Sequence, residues 1–211
     1  EGIEIIAAPL DFAGVSGLIA GLRAADLPTV LWSREPVGAA SVEALFPQAD
    51  KLIFDTATAL SPQQAIAYLR LLAKQGLRVA DLHWARVTPW REAVSTLYEA
   101  KPFQVHSARI VHTESGASPG TLYVRAWLQS ALPEVRILVE SCAEPGPARV
   151  QSITFETNLG ELQVKREQGR LAVITPERRY TVRFPRQTVE ELLDQELRVT
   201  GDDEVFQRVL G

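Results

Sequence analysis

Methionine is absent from the 211 residues, histidine occurs three times, and the only cysteine is Cys142. A lone cysteine excludes an internal disulfide and any Cys-rich zinc site within this sequence. No charge of either sign dominates: 22 Lys and Arg stand against 26 Asp and Glu, for a formal net charge of -4. A nucleic-acid surface, which calls for a concentrated positive balance, is not expected. Long hydrophobic runs are missing as well. The stretch from Phe12 to Leu22 is interrupted by Gly14, Ser16, Gly17 and Gly21 and falls far short of the ~20 apolar residues that span a membrane. The opening residues carry no basic segment and no cleavage site, so a cytoplasmic protein without a membrane partner is the expectation. The glycines do not form a dinucleotide fingerprint, and no phosphate-cradling loop ends in Gly-Lys-Ser/Thr. The spacing of Gly14, Gly17 and Gly21 suits close helix packing instead.

What is present is an ordinary globular composition, 46% hydrophobic and 23% charged. A chain of this length buries roughly 70% of the surface its unfolded form exposes, enough for one large core or two small ones. Continuous apolar runs at Ile3 to Ala7, Thr29 to Trp32, Leu52 to Asp55, Leu77 to Leu82, Ala108 to Val111 and Val135 to Val139 predict buried strands. Helical patterns separate them. The clearest is Pro62 to Lys74, with Ser61 as N-cap, Pro62 at the first position and Gly76 as the stop. Near Pro145 the period changes to strict alternation, as in Ile153/Phe155, Leu162/Val164, Leu171/Val173 and Tyr180/Val182/Phe184. Turn signals at Asn158-Leu-Gly160, Gln168-Gly169 and Thr175-Pro-Glu177 separate these runs. Thr188-Val-Glu-Glu191 reads as a capping box opening a helix to Leu197, and a last helix is expected over Val205 to Leu210. The fold class is therefore α/β: a mostly parallel α/β layer over residues 1–144, then an antiparallel β-meander with C-terminal helices over 145–211.

Charge is distributed unevenly near the end. Seven Lys and Arg lie between Lys165 and Arg186 with only Glu167 and Glu177, while the last 26 residues hold three Arg and seven acids. Solvated neighbours of opposite sign are the simplest reading.

Candidate catalytic chemistry fails on inspection. Gly116-Ala-Ser118-Pro-Gly120 has the letters of a nucleophile elbow, but the residue after the nucleophile must donate its N–H to the oxyanion, and Pro119 has none. Ser118 as N-cap and Pro119 as first helical residue account for the same letters. His106 and His112 sit on one predicted strand about 20 Å apart, too far for a shared ion. No catalytic, metal or cofactor residues are assigned.

The densest feature is Asp81-Leu-His83-Trp84-Ala-Arg86-Val-Thr88-Pro-Trp90-Arg91. It follows a predicted buried strand and leads into a helix with Thr88 as expected N-cap, so it occupies the carboxyl edge of the sheet, where ligands and partners favour binding. Two Trp, two Arg and a His allow three readings: a core element with Arg86 pairing Asp81, a protein-binding surface, or a grip of Arg86, Arg91 and His83 on a phosphorylated small molecule.

This block closely resembles the Asp-Leu-x-Trp-x-Arg-Leu-Thr-Pro-Trp-Arg signature of the OpcA family of glucose-6-phosphate dehydrogenase assembly proteins. Asp26-Leu-Pro-Thr-Val-Leu-Trp32, Ala49 to Asp55, Ala126-Trp-Leu128, Phe184-Pro-Arg186, Glu191-Leu-Leu193, Glu196-Leu197 and Asp202 to Phe206 are similar to further blocks of that family in the same order. Ser33 stands where the family has a second Trp, and Ala126 where it has Gly. Members usually carry a further N-terminal region. The resemblance implies a non-catalytic protein that binds glucose-6-phosphate dehydrogenase and promotes its active state, with Asp81, Trp84, Arg86, Trp90, Arg91 and Trp32 as the partner-binding candidates. For relatives under thioredoxin control it would also imply redox regulation, which Cys142 alone cannot supply through an intramolecular disulfide. A small-molecule or sugar-phosphate binder using residues 81–91 is the alternative.

Overall fold

The computed structural model describes residues 17, 19–21, 27–33, 43–100, 103–113, 116–143, 146–199 and 201–211. The strand expected at Ile3 to Ala7 and the glycine at Gly14 lie outside them. At Gly17 and Gly21 an added Cβ meets nothing within 4 Å. The close helix packing expected of that spacing is therefore not found among the described residues.

Three short strands, β1 (Val30–Trp32), β2 (Lys51–Phe54) and β3 (Val79–Asp81), form a parallel sheet in the order β1-β2-β3. The central strand is buried at all four positions, which explains its unbroken apolar reading. Helix α1 (Pro62–Lys74) connects β2 to β3 with the predicted bounds. The Ser61 hydroxyl accepts from the Gln64 N–H, Pro62 occupies the first turn, and Ala65, Ile66, Leu69 and Leu72 form its buried stripe. Gly76 ends it with a φ of 84°, a conformation only glycine adopts at no steric cost.

The second sheet has six strands in the order β5-β4-β6-β7-β8-β9. Strands β4 (Val105–Thr113) and β5 (Arg136–Cys142) are parallel. A parallel pair needs a crossover, and helix α4 (Pro119–Ala131) lies between the two in sequence. The meander follows: β6 (Val150–Thr157), β7 (Gly160–Glu167), β8 (Arg170–Ile174) and β9 (Arg179–Arg183) are all antiparallel to their neighbours. Gln168 and Gly169, both at positive φ, make the two-residue turn expected there.

The change of period near residue 145 marks a change of strand direction inside one sheet. Because β6 hydrogen-bonds directly to β4, the sheet runs through the proposed division at 144 and joins residues on both sides of it. Apolar periodicity reports which faces of a strand are buried, and carries no information on sheet membership.

One face of this sheet packs Ile110, Ile153, Phe155, Val164, Leu171 and Val173 into a core shared with Leu69, Leu72, Trp84, Trp90 and Phe206. A smaller cluster joins Ile53, Ala80 and Leu82 to Leu192. Leu192 belongs to helix α5 (Val189–Arg198), whose capping box has both bonds, Glu191 N–H to Thr188 Oγ1 and Thr188 N–H to the Glu191 carboxylate. Helix α6 (Glu204–Leu210) ends the chain and buries Phe206, Val209 and Leu210. No helix among the described residues is long and apolar enough to cross a membrane.

Candidate functional site

The Trp/Arg block starts at the carboxyl end of β3, and two helices occupy it. Asp81 leaves the strand with its carboxylate accepting from the His83 N–H, which caps the short helix α2 (Leu82–Arg86). Helix α3 (Thr88–Ala100) follows after Val87. Thr88 is the first residue of α3 and not its N-cap: the Val87 carbonyl accepts from the N–H groups of Trp90 and Arg91, and the Thr88 hydroxyl accepts from Arg91 Nη2.

Asp81 is 1% exposed and is surrounded by donors. Its Oδ1 accepts from the backbone N–H groups of Thr56 at 3.1 Å and His83 at 2.9 Å. Its Oδ2 accepts from the hydroxyls of Thr56 at 2.7 Å and Tyr123. Burial raises the carboxyl above its ordinary value, and the four hydrogen bonds oppose that shift. Burial and the adjacent Asp81 charge hold the Tyr123 phenol well above its ordinary value, so it stays a donor.

The Arg86–Asp81 pair expected from sequence does not form. Arg86 grips Asp55 with both arms, Nη1 to Oδ1 at 2.6 Å and Nη2 to Oδ2 at 2.8 Å. Asp55 lies just beyond β2, next to β3 in the sheet, where its carboxylate also caps the 3-10 turn Thr56–Thr58. Parallel pairing thus places two acids from adjacent strand ends side by side, and α2 offers its N-terminal N–H to one and its C-terminal Arg to the other.

Trp84 and Trp90 are 4% and 2% exposed. They form no solvent-facing patch, although Trp84 lines a small cavity of about 20 Å³ together with Asp81, Asp203 and Phe206. Trp84 packs on Phe206 and Tyr123, with ring centroids 5.3 and 5.8 Å away, and its Nε1–H donates to Asp203 at 2.7 Å. The Arg91 guanidinium lies 3.8 Å from the Trp84 ring centroid, a cation–π stack. Trp90 meets the edge of Phe184 at 6.0 Å. Trp32, half-buried, belongs to the smaller cluster with Leu82, Ala85 and Val189. The structure therefore brings Asp81, Trp84 and Arg91 into one packed unit. Arg86 and Arg91 remain partly accessible, and Trp32 packs in the smaller cluster beside the unit.

The C-terminal segment completes this unit. Lys51 donates to Glu196 and to the carbonyls of Glu196 and Val199, Arg78 pairs with Asp202 at 2.7 Å, and Arg70 donates to the Leu210 carbonyl. The acids Glu196, Asp202 and Asp203 therefore bind Lys51, Arg78 and Trp84 instead of the basic stretch, and of the three Asp202 stays solvent-exposed, as the charge pattern suggests. Asp55, Thr56, Tyr123 and Asp203 are absent from the sequence-derived candidates because each lies far along the chain from its partner. The one available signal is the acidic residue at the end of the β2 run.

His83 has its Nδ1 buried without a hydrogen-bond partner. Burial, with the Arg86 charge adding to it, lowers its pKa to about 4. Ser118 acts as the N-cap of α4, its Oγ accepting from the Thr121 N–H. His112 is buried with Nδ1 2.6 Å from the Thr113 carbonyl, and His106 is exposed. Among the described residues no group of three or more His, Cys, Asp or Glu is placed to hold a metal ion.

Known proteins resemble this chain at two levels, family and fold. The family described as the C-terminal domain of the glucose-6-phosphate dehydrogenase subunit matches residues 77–210. A curated relative from Synechocystis sp., named "Putative OxPP cycle protein OpcA", is 24% identical over 147 residues, covering 67% of this chain and 30% of the relative. The chain thus spans about a third of that relative's length. Among solved structures, the biliverdin reductase of Synechocystis sp. with biliverdin and NADP+ is similar at a TM-score of 0.53 and 12% identity, covering 92% of this chain and 79% of that one. The 3-ketoreductase KijD10 of Actinomadura kijaniata is similar at 0.53 and 10% identity, covering 90% and 76%. At these identities the likeness shows a shared fold alone.

Proposed function

The chain belongs to the family defined by the C-terminal domain of the glucose-6-phosphate dehydrogenase subunit, and on that premise we propose that it is a non-catalytic cytoplasmic partner that binds glucose-6-phosphate dehydrogenase and favours its active state. The observation that carries this reading is the extent of the family match. It begins on the approach to β3, takes in the whole Trp/Arg block and ends at Leu210, so it includes both the block and the C-terminal segment that buttresses it.

The chemistry of the block agrees with a docking element better than with a ligand site. Most of its polar groups are committed internally, Arg86 to Asp55, Asp81 to four donors, and Arg91 to Trp84 and Thr88, while His83 Nδ1 and Arg91 Nε are buried without a hydrogen-bond partner. A phosphate grip by Arg86, Arg91 and His83 would have to break the Arg86–Asp55 fork, and a histidine with a pKa of about 4 brings no charge at neutral pH. In the proposed interface Arg86, Arg91 and Trp32 supply the contacts, while Asp81, Trp84 and Trp90 hold them in place from beneath. A partner that activates without supplying catalytic groups must bind one state of the enzyme better than another.

The test is to titrate this chain with the dehydrogenase of its own organism and follow complex formation and activity. A folded Arg91→Ala or Trp32→Ala variant should bind at least thirtyfold more weakly, the loss typical of a hot-spot side chain worth about 2 kcal/mol. If substrate affinity rises in the complex, saturating glucose 6-phosphate should tighten the complex by the same factor. Wild-type chain that forms no complex with the dehydrogenase would overturn the proposal.

A further inference from the structure

The basic stretch that the candidate site leaves unused ends on an edge of the six-stranded sheet. Strand β9 is the last in the order β5-β4-β6-β7-β8-β9, and the segment Arg178 to Arg186 that contains it has four Arg and no acid. The Thr175 N–H donates to the Arg178 carbonyl at 2.9 Å, Val173 lies opposite Tyr180, and Leu171 lies opposite Val182. Bonded and non-bonded pairs alternate along an antiparallel ladder, so Tyr180 and Val182 bond to β8. The backbone N–H and C=O groups of Arg179, Thr181 and Arg183 therefore point away from β8, along the outer edge. No hydrogen bond from the described residues reaches those groups.

The side chains of β9 divide between the two faces of the sheet. Tyr180 and Val182 are half-buried against the core, while Arg179, Thr181 and Arg183 are exposed. Arg183 stands directly opposite Arg170 of β8, a like-charge pair that costs stability with its Cβ atoms about 4.5–5.5 Å apart. The acid next in that row, Glu167 opposite Arg170, is paired with Arg179 instead. Among the described residues neither Arg170 nor Arg183 has an acidic partner.

An unpaired edge is a template for another strand. Main-chain bonds give an added strand its affinity, and its alternate side chains give specificity. We propose that the β9 edge docks an extended segment of a partner protein in which acidic and apolar residues alternate. Its carboxylates lie beside Arg183, with Arg170 in the next strand, and relieve the repulsion of that pair. Its apolar side chains continue the face that carries Tyr180 and Val182. A second copy of this chain fits poorly, because antiparallel pairing of two β9 edges about Thr181 sets Arg179 of each copy opposite Arg183 of the other. This proposal does not rest on dehydrogenase binding, and it is tested on the chain alone.

The experiment is fluorescence anisotropy of a labelled eight-residue peptide of alternating Glu and Val, titrated with this chain. The peptide should bind, and more weakly with added salt. Arg183→Ala and Arg170→Ala should each lose about tenfold in affinity, the loss expected of one charge-assisted hydrogen bond. Both residues are exposed, so their truncation leaves the core intact. Thr181→Pro removes an edge donor and no bond to β8, a change that edge strands tolerate, and should abolish binding, with circular dichroism checking its fold. The same peptide with every amide N-methylated tests the backbone bonds without altering the protein, and should not bind. Absence of binding of the alternating peptide to the wild-type chain would overturn the proposal. So would equal binding of the N-methylated peptide, or of a peptide of four Glu followed by four Val. Self-association of the chain that Thr181→Pro abolishes would overturn it in favour of a second copy, and tighter binding of an octathymidylate strand in favour of a nucleic acid.

Discussion

Replacing Asp81 separates two explanations of why a buried carboxylate sits at the centre of the block. Its two oxygens face different partners. Oδ1 serves two backbone N–H groups, which can only donate, whereas Oδ2 serves two hydroxyls, which can rotate and accept. Asparagine with its oxygen toward Thr56 N and His83 N and its nitrogen toward the hydroxyls therefore satisfies all four contacts. Alanine satisfies none. Thr56 is fully buried, and each orphaned N–H costs about 1–3 kcal/mol, so Asp81→Ala should lose about 2–5 kcal/mol and Asp81→Asn about 1 kcal/mol. Against a total stability of roughly 5–15 kcal/mol, the alanine variant approaches unfolding. The pH dependence has a definite sign. Burial raises the folded-state pKa above the ordinary value of 3.8, so the folded chain binds this proton where the unfolded chain has already released it. The group's contribution to stability falls as pH rises from the unfolded pKa through the folded one, and stays low above it. Asp81→Asn lacks that slope, and its stability relative to wild type should be least favourable below about pH 4. Urea denaturation followed by tryptophan fluorescence between pH 3.5 and 7.5 measures this. An Asp81→Ala variant within about 1 kcal/mol of wild type, or an asparagine variant as damaged as the alanine one, would refute the account of the donor set.

Three further outcomes follow from the same unit. Arg86→Ala should cost about 1–2 kcal/mol by thermal denaturation, a figure kept low because the guanidinium is 24% exposed, with Arg86→Lys intermediate because a lysine makes only one of the two bonds. Asp203→Ala should cost about 2–3 kcal/mol, since it removes both the Trp84 Nε1 acceptor and the N-cap of α6, and should shift tryptophan emission; an unchanged spectrum would contradict the contact. His83, with its pKa lowered to about 4, should remain neutral from pH 8 to pH 5 in an NMR titration. Because the unfolded chain gains that proton first, stability should fall as pH drops from about 6.5 toward 4, and His83→Gln should flatten this part of the profile.

Most of the fold is legible in the sequence because it is written in local signals. Ser61, Ser118 and Thr188 cap their helices as their side-chain chemistry predicts, since a hydroxyl reaches the N–H three residues on without help from the rest of the chain. The alternating runs after Val150 form antiparallel strands because one face of each is wet and the other buried, and Gln168-Gly169 turns because a two-residue hairpin demands positive φ. The Trp/Arg block stands out by composition alone. Its contacts do not. Arg86 reaches Asp55 instead of Asp81 because parallel pairing of β2 with β3 aligns their carboxyl ends, a relation across a helical crossover that no spacing rule encodes. The burial of Trp84 and Trp90 depends on Phe184, Asp203 and Phe206, about a hundred residues downstream, folding back over them. Sheet membership behaves the same way: the residues on either side of position 145 differ in period, yet β6 pairs with β4. Periodicity and capping are set by neighbours within a turn or two, so they can be read from the chain as written. Partner choice between distant groups depends on which topology best fills the core, and only the folded chain decides it.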